Sequence, residues 1–244
     1  MIPKKIHYCW FGRGQKSELI LRCIESWKKY CPDYEIIEWN EDNLDISSCD
    51  YAREAYEEKK WAFVSDYARL CALKEYGGIY LDTDMQLLKP IDEFLDNEGF
   101  LSFEAKDYVC LGIIGAVKDH PFIDLMKQEY ETIHFRNAGE LAETTTNVQR
   151  MRKHLLAGGL VNNGKQQTVC GMTIYPQKLF FPYDFKMLFN IAPRKAYSIH
   201  HAAGSWKNNQ INQNKVKLFK ICLVNKARNI FGTDFIVKLK SLKK

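Results

Sequence analysis

Between two apolar segments the chain carries Gly77-Gly78, and what flanks that pair constrains the fold more than any other feature. Upstream, Val64 to Tyr76 repeats apolar residues at helical spacing, and downstream Ile79-Tyr80-Leu81 is a short apolar run that ends on Asp82. Glycines end a helix where the backbone must turn left-handed, so this spacing predicts a helix, a tight turn and a short buried strand. The same alternation starts at the N-terminus. Ile6 to Phe11 is aromatic-rich and closes on Gly12-Arg13-Gly14, which predicts a first strand. Leu19, Ile20, Cys23, Ile24 and Trp27 predict a helix over 17–30 with Ser17 as its N-cap. Tyr34 to Trp39 reads as a second strand, followed by an acidic, turn-rich stretch from Asn40 to Asp50. Strand, helix, strand, helix, strand within 85 residues predicts an α/β layer on a largely parallel sheet, in which ligands sit beyond the carboxyl ends of strands.

Past Lys89-Pro90 the pattern is more mixed. Gly99 to Phe103, Leu111 to Ala116, Thr173 to Pro176 and Ala196 to His201 read as strands, and Pro121 to Tyr130 as a helix. The expected organisation is a catalytic domain over 1–214, with a ligand-binding half at 1–88 and a second half at 89–214, followed by a basic tail at 215–244. Apolar residues at 46% and the absence of a Pro- or Ser-rich linker argue for one core and against disorder.

Charge separates the tail from the body. The net charge is +5, but residues 215–244 carry nine Lys/Arg against Asp234 alone, which leaves the first 214 residues at −3. That excludes a nucleic-acid surface on the body. In the tail, Val216, Phe219, Leu223, Ala227 and Ile230 form an apolar stripe among lysines, the pattern of a basic amphipathic helix suited to an anionic membrane surface. The first residues lack the apolar core of a signal peptide, and no run of about 18 apolar residues occurs. Eight cysteines without a Cys-x-x-Cys pair read as reduced thiols. The expectation is a cytoplasmic chain, peripheral at the inner face of the plasma membrane if the tail docks there.

Three groups of residues carry chemistry. Asp82 and Asp84 flank Thr83 at a strand's end, where both carboxylates can face one hard cation such as Mn²⁺ or Mg²⁺ that also takes oxygens from a phosphate. Asp66 and Arg69 are three apart, hence on one helix face: by spacing alone they read as a surface ion pair, but the stripe continues through Leu73 and Tyr76 toward the core, which would turn the pair inward at a cleft. There a carboxylate can accept sugar hydroxyls and a guanidinium can donate to them or to phosphate. His200-His201 precede Gly204-Ser205-Trp206, and strand alternation sends the two imidazoles to opposite faces, so one of them can complete a metal site. Ser205 and Trp206 could donate to a diphosphate from a closing loop. Trp10, ending the first strand, could stack a nucleobase or sit in the core.

Taken together, Ile2-Pro3-Lys4-Lys5-Ile6-His7-Tyr8-Cys9-Trp10-Phe11-Gly12, Phe63-Val64-Ser65-Asp66-Tyr67-Ala68-Arg69-Leu70 and Tyr76-Gly77-Gly78-Ile79-Tyr80-Leu81-Asp82-Thr83-Asp84 resemble the sugar-binding-region glycosyltransferases with a DXD motif. This is glycosyltransferase family 32, which is similar in the same blocks to the catalytic domains of large clostridial glucosylating toxins. The segment from His200 to Trp206 resembles the family's closing His...Gly-Ser-Trp. The resemblance implies a GT-A fold, a Rossmann-like mixed sheet flanked by helices, a nucleotide-sugar donor with UDP-sugars favoured, Mn²⁺ or Mg²⁺, and retention of anomeric configuration. It also implies roles. Trp10 would stack the base, Asp66 and Arg69 would hold the donor sugar, and Tyr80 would contact the diphosphate. Asp82 would serve ribose, sugar and metal, Asp84 would ligate the metal directly, and Ser205 and Trp206 would cover the leaving phosphate. His200 is favoured over His201 as the third metal ligand.

The acceptor implied is a saccharide or a lipid-linked oligosaccharide in capsular, exopolysaccharide or O-antigen assembly. Two rivals exist. A haloacid-dehalogenase-like Mg²⁺ phosphohydrolase also uses Asp-x-Asp after a strand, but it expects Thr or Val two residues past the second Asp, where this chain has Gln86. A non-catalytic membrane-surface binding protein would explain the tail and leave the ordered blocks unexplained.

Overall fold

A computed structural model describes residues 1–105, 108–136, 147–182 and 194–202. Ser205, Trp206 and the 215–244 tail lie outside the described residues. Strands β1 (Lys5–Cys9), β2 (Glu35–Trp39) and β3 (Gly78–Leu81) alternate with helices α1 (Glu18–Tyr30), α2 (Asp50–Glu57) and α3 (Trp61–Tyr76). The short β4 (Met85–Leu87) leads to a hairpin of β5 (Gly99–Ala105) and β6 (Tyr108–Ala116). Then come α4 (Pro121–Glu131), α5 (Asn147–Ala157), β7 (Gln167–Val169), β8 (Met172–Tyr175), α6 (Gln177–Phe180) and β9 (Ser198–His200).

Among the described residues, seven strands form one sheet in the order β2-β1-β3-β6-β5-β8-β7, while β4 and β9 pair separately. The first three strands are parallel, as their helical crossovers require. The expectation of a largely parallel sheet holds only there. Strand β6 enters antiparallel beside β3, and β5 pairs antiparallel with β6, because β5 and β6 form a hairpin, whose pairing can only be antiparallel. Parallel pairing returns between β5 and β8. The result is a mixed sheet with helices packed against it, an α/β fold as expected. No described helix is long and apolar enough to cross a membrane.

Local signals account for most of the first half. Ser17 caps α1 by accepting from the Ile20 amide at 3.5 Å. Gly77 and Gly78 both have positive φ, 61° and 111°, and an added Cβ would stand 2.6 Å from the Lys118 amide nitrogen at the first and 2.9 Å from the Lys5 carbonyl at the second. Only glycine fits such a backbone without strain. Buried His7 locks the turn to the sheet: the Trp39 indole donates to its Nδ1 at 3.1 Å, which leaves Nε2–H to donate to the Gly77 carbonyl at 2.8 Å. Burial holds its pKa below the usual imidazole value, so the neutral form carries both bonds.

The expectation for Tyr76 fails. Tyr76 does not face the core; it is 39% exposed, and its ring lies against His7 and Trp39 at centroid distances of 6.3 and 5.8 Å. The helix ends at Tyr76, so its side chain reaches the sheet's edge and not its interior. The stretch from Asn40 to Asp50 is turns and a short 3₁₀ helix at Ile46–Ser48, as its composition suggests, and α2 follows, burying Tyr51, Ala52 and Ala55.

Candidate donor and metal site

The site lies where β3 ends. At the last residue of β3 the backbone turns, Asp82 N donating to Gly112 O at 2.9 Å and Met85 N to Asp82 O at 2.9 Å, which presents Asp82 and Asp84 beyond the strand. Strand β4 is then fixed from below by α1. The Trp27 indole donates to the Met85 carbonyl at 2.7 Å, and the Leu87 amide donates to Ser26 Oγ at 2.9 Å. Both bonds are buried, so losing either would strand a polar group. On the other side β4 pairs with β9, setting Met85 opposite His200. That pairing carries a residue from position 200 into a site begun at position 82.

One wall is a buried charge network. Asp66 and Arg69 on α3 are 8% and 6% exposed, so this pair is not a surface ion pair. Arg69 Nη2 meets Asp66 Oδ1 at 3.0 Å and Nη1 meets Asp82 Oδ1 at 3.4 Å. Its remaining donors reach Ser65 O and Leu111 O, each at 3.1 Å, and its Cζ lies 4.4 Å from the centroid of the Tyr80 ring. Tyr80 in turn donates its hydroxyl to Asp82 Oδ1 at 3.0 Å. Burial pushes the Asp66 pKa up to about 7 against the lowering influence of Arg69, while Tyr80, Asp82 and Asp66 hold Arg69 firmly protonated despite its burial.

The opposite wall is simpler. His200 Nε2 stands 3.2 Å from Asp84 Oδ1, and its Nδ1 faces Glu104 of β5 at 3.9 Å. Burial alone would lower the His200 pKa, but Asp84, with Glu104 and Asp82 beyond it, raises it to about 9. His201 points elsewhere, its Nε2 3.0 Å from Gln86 Oε1. One ligand atom from each of Asp82, Asp84 and His200 can be chosen so that all lie within 4.8 Å of one another. Two carboxylates and an imidazole form a donor set that fits a divalent cation sharing its remaining positions with phosphate oxygens.

Trp10 follows β1, half-buried, its indole donating to Gly14 O at 2.7 Å and the Lys16 ammonium 5.5 Å from its ring centroid. The sequence reading missed Asn147. It opens α5, is buried, and its amide donates to Asp66 Oδ1. A pocket lined by Asp66, Arg69, Leu111 and Asn147 continues behind them along apolar Leu101 and Met172. Nothing local marks Asn147, since its partner is 81 residues away in the sequence.

Residues 17–101 match the family described as "Glycosyltransferase sugar-binding region containing DXD motif". Human alpha-1,4-N-acetylglucosaminyltransferase is 42% identical over 67 residues, covering 27% of this chain and 18% of that protein. Inositol phosphoceramide mannosyltransferase 3 of Schizosaccharomyces pombe is 26% identical over 130 residues, covering 50% and 35%. The chain thus spans well under half the length of either relative. Among solved structures, the PaToxG glycosyltransferase aligns over 64% of this chain and 70% of its own at 22% identity and a TM-score of 0.47. A glycosyltransferase involved in glycosylation of the major capsid of PBCV-1 aligns over 89% and 98% at 11% identity and a TM-score of 0.43. The segment matched by the family, about a third of this chain, runs from the start of α1 through β3 and the Asp82–Asp84 turn into β5.

Proposed function

We propose that this chain is a metal-dependent, retaining glycosyltransferase that moves a hexose from a nucleotide sugar, a UDP-sugar by preference, to a saccharide acceptor. The observation that carries the reading is the convergence of Asp82, Asp84 and His200 beside the buried Asp66–Arg69 pair. Mn²⁺ or Mg²⁺ held there would neutralise the diphosphate and act as a Lewis acid on the leaving group. Asp66 accepts hydroxyls of the donor sugar, and Arg69, anchored by Asp66 and Asp82, donates to sugar or phosphate. Tyr80 holds Asp82 in orientation and contacts the diphosphate, and Trp10 stacks the base. Ser205 and Trp206 cover the leaving phosphate and exclude water. As the bond to the β-phosphate breaks, negative charge grows on its oxygen, and preformed positive groups stabilise that charge without reorganising.

The acceptor hydroxyl attacks from the face the diphosphate leaves, with no enzyme nucleophile; trapping a glycosyl-enzyme adduct with a slow donor analogue would overturn this step. The two curated relatives are named for different sugars, N-acetylglucosamine and mannose, so a panel of UDP- and GDP-sugars with Mn²⁺ is the decisive assay. Nucleotide release supports the transferase. Phosphate release from a monoester would instead favour the phosphohydrolase, and neither activity would favour a binding protein. The pathway proposed is capsular, exopolysaccharide or O-antigen assembly. The 215–244 tail docks on anionic membrane near a lipid-linked oligosaccharide acceptor, at the cytoplasmic face, and liposome co-sedimentation unchanged by its removal would sink that placement.

A further inference from the structure

On the far side of His200 lies a second cluster, of which the proposed transfer reaction uses only His200. Glu104, Cys110 and His200 can each direct one ligand atom so that all lie within 4.8 Å of one another. The β5–β6 hairpin builds it. Ser102 pairs with Cys110 across the strands, and the register slips between Phe103 and Ala105, so a bulge at Glu104 re-aims its carboxylate. Cys110 is buried at 7% exposure, its Sγ accepting the Gly112 amide at 3.4 Å, and burial holds its thiol pKa well above the usual range. Phe181 closes the site edge-on to His200 at 5.6 Å between ring centroids.

The donor chemistry differs from that of the neighbouring site. Asp82 and Asp84 are hard oxygen ligands, whereas a cysteine sulfur beside an imidazole and one carboxylate selects a softer ion. Tetrahedral zinc with sulfur, nitrogen and oxygen ligands needs ligand separations of about 3.3–3.7 Å. The Nδ1 to Glu104 distance of 3.9 Å is close to that already.

We propose that Glu104, Cys110 and His200 Nδ1 form a zinc site whose occupation antagonises the catalytic cation. Coordination forms an S–Zn bond, and the Cys110 thiol releases its proton to solvent. The antagonism follows from the imidazole. A neutral ring offers one lone pair, so zinc on Nδ1 leaves Nε2 protonated and aimed at Asp84, 3.2 Å away. His200 then cannot give Nε2 to a cation held by Asp82 and Asp84. The antagonism rests on reading His200 as a ligand of the catalytic cation, whereas zinc capture by the cluster does not.

The test uses the full chain, free of tags and stripped of metal. Equilibrium dialysis against Zn²⁺ alone should leave one ion bound per chain, and Co²⁺ in its place should give a thiolate-to-cobalt charge-transfer band. Cys110→Ser should abolish the band and weaken zinc retention at least about tenfold. The same variant should keep its Mn²⁺-supported nucleotide release while needing at least about tenfold more zinc for half-inhibition. Cys110→Ala is the second variant should Ser not be tolerated at a buried position. Absence of the band in the parent protein, or zinc retention by the variant equal to that of the parent, overturns the site. A band without zinc inhibition overturns the antagonism and leaves the site. A band and zinc retention in a protein that releases no nucleotide from any sugar donor would count against the transferase reading, not against this one.

Discussion

The two walls of the site hold charge in different ways. On the Arg69 wall every charge is answered by groups that are themselves fixed: Asp66 and Asp82 flank the guanidinium, Ser65 and Leu111 take its other protons, and Tyr80 lies under its plane. On the His200 wall one imidazole lies between Asp84 and Glu104, on a two-stranded pairing assembled from distant parts of the chain. Arginine cannot discard its proton, so removing its partners, or it, leaves a buried charge. Histidine can. The first wall is therefore a permanent framework, and the second is a balanced pair that a cation can replace.

Arg69→Met tests the framework most severely. It leaves Asp66 and Asp82 facing each other without a cation, and a loss of about 3–5 kcal/mol in urea unfolding is expected together with loss of transfer. Unchanged stability would show that the network is not the framework described. Asp84→Ala should separate the two properties. Nucleotide release with Mn²⁺ should fall by about a thousandfold, since the proposed site loses a cation ligand at the developing charge. Stability should fall by at most about 2 kcal/mol, because His200, raised to about 9 by Asp84, returns to its neutral form when that carboxylate is gone. Comparable unfolding losses in the two variants would erase the distinction between the walls. Gly78→Ala acts on the turn that aims the first wall. With φ at 111° and a new Cβ 2.9 Å from the Lys5 carbonyl, a loss of about 2 kcal/mol is expected by thermal unfolding.

The framework wall was legible in the sequence because its signals are local. Asp66 and Arg69 are one helical turn apart, Gly77-Gly78 mark the turn, and Asp82 follows an apolar strand; spacing marks each feature, and the resemblance joins them into one site. Asn147, Glu104 and Cys110 were not legible. Their partners lie on other elements, and only the β5–β6 hairpin and the start of α5 bring them in. Strand alternation separates His200 from His201 but cannot say what each faces, and the preference for His200 came only with the resemblance. The antiparallel half of the sheet was missed for a similar reason: strands read from composition carry no direction, and direction came only from the connections. Tyr76 failed because helical spacing says which face a residue shares and not where the helix stops.

The smallest effect concerns protons on the framework wall. Burial raises Asp66 from 3.8 to about 7, so folding takes up a proton between those values. That contribution to stability is fully present below pH 3.8 and is lost as pH rises through about 7. In the proposed donor site, binding needs the ionised carboxylate, to hold Arg69 and to accept sugar hydroxyls. Acidification therefore acts oppositely on the two properties: Asp66 adds stability while kcat/KM for the donor falls by up to about tenfold per unit below pH 7. Asp66→Asn should weaken donor use throughout and abolish this acid limb, while the dependence arising at the His200 wall persists. A pH profile of kcat/KM identical in shape for parent and variant would place the titrating group elsewhere. It would also mean that Asp66 is held ionised by Arg69 across the working range, which would make the framework wall still more rigid than its burial implies.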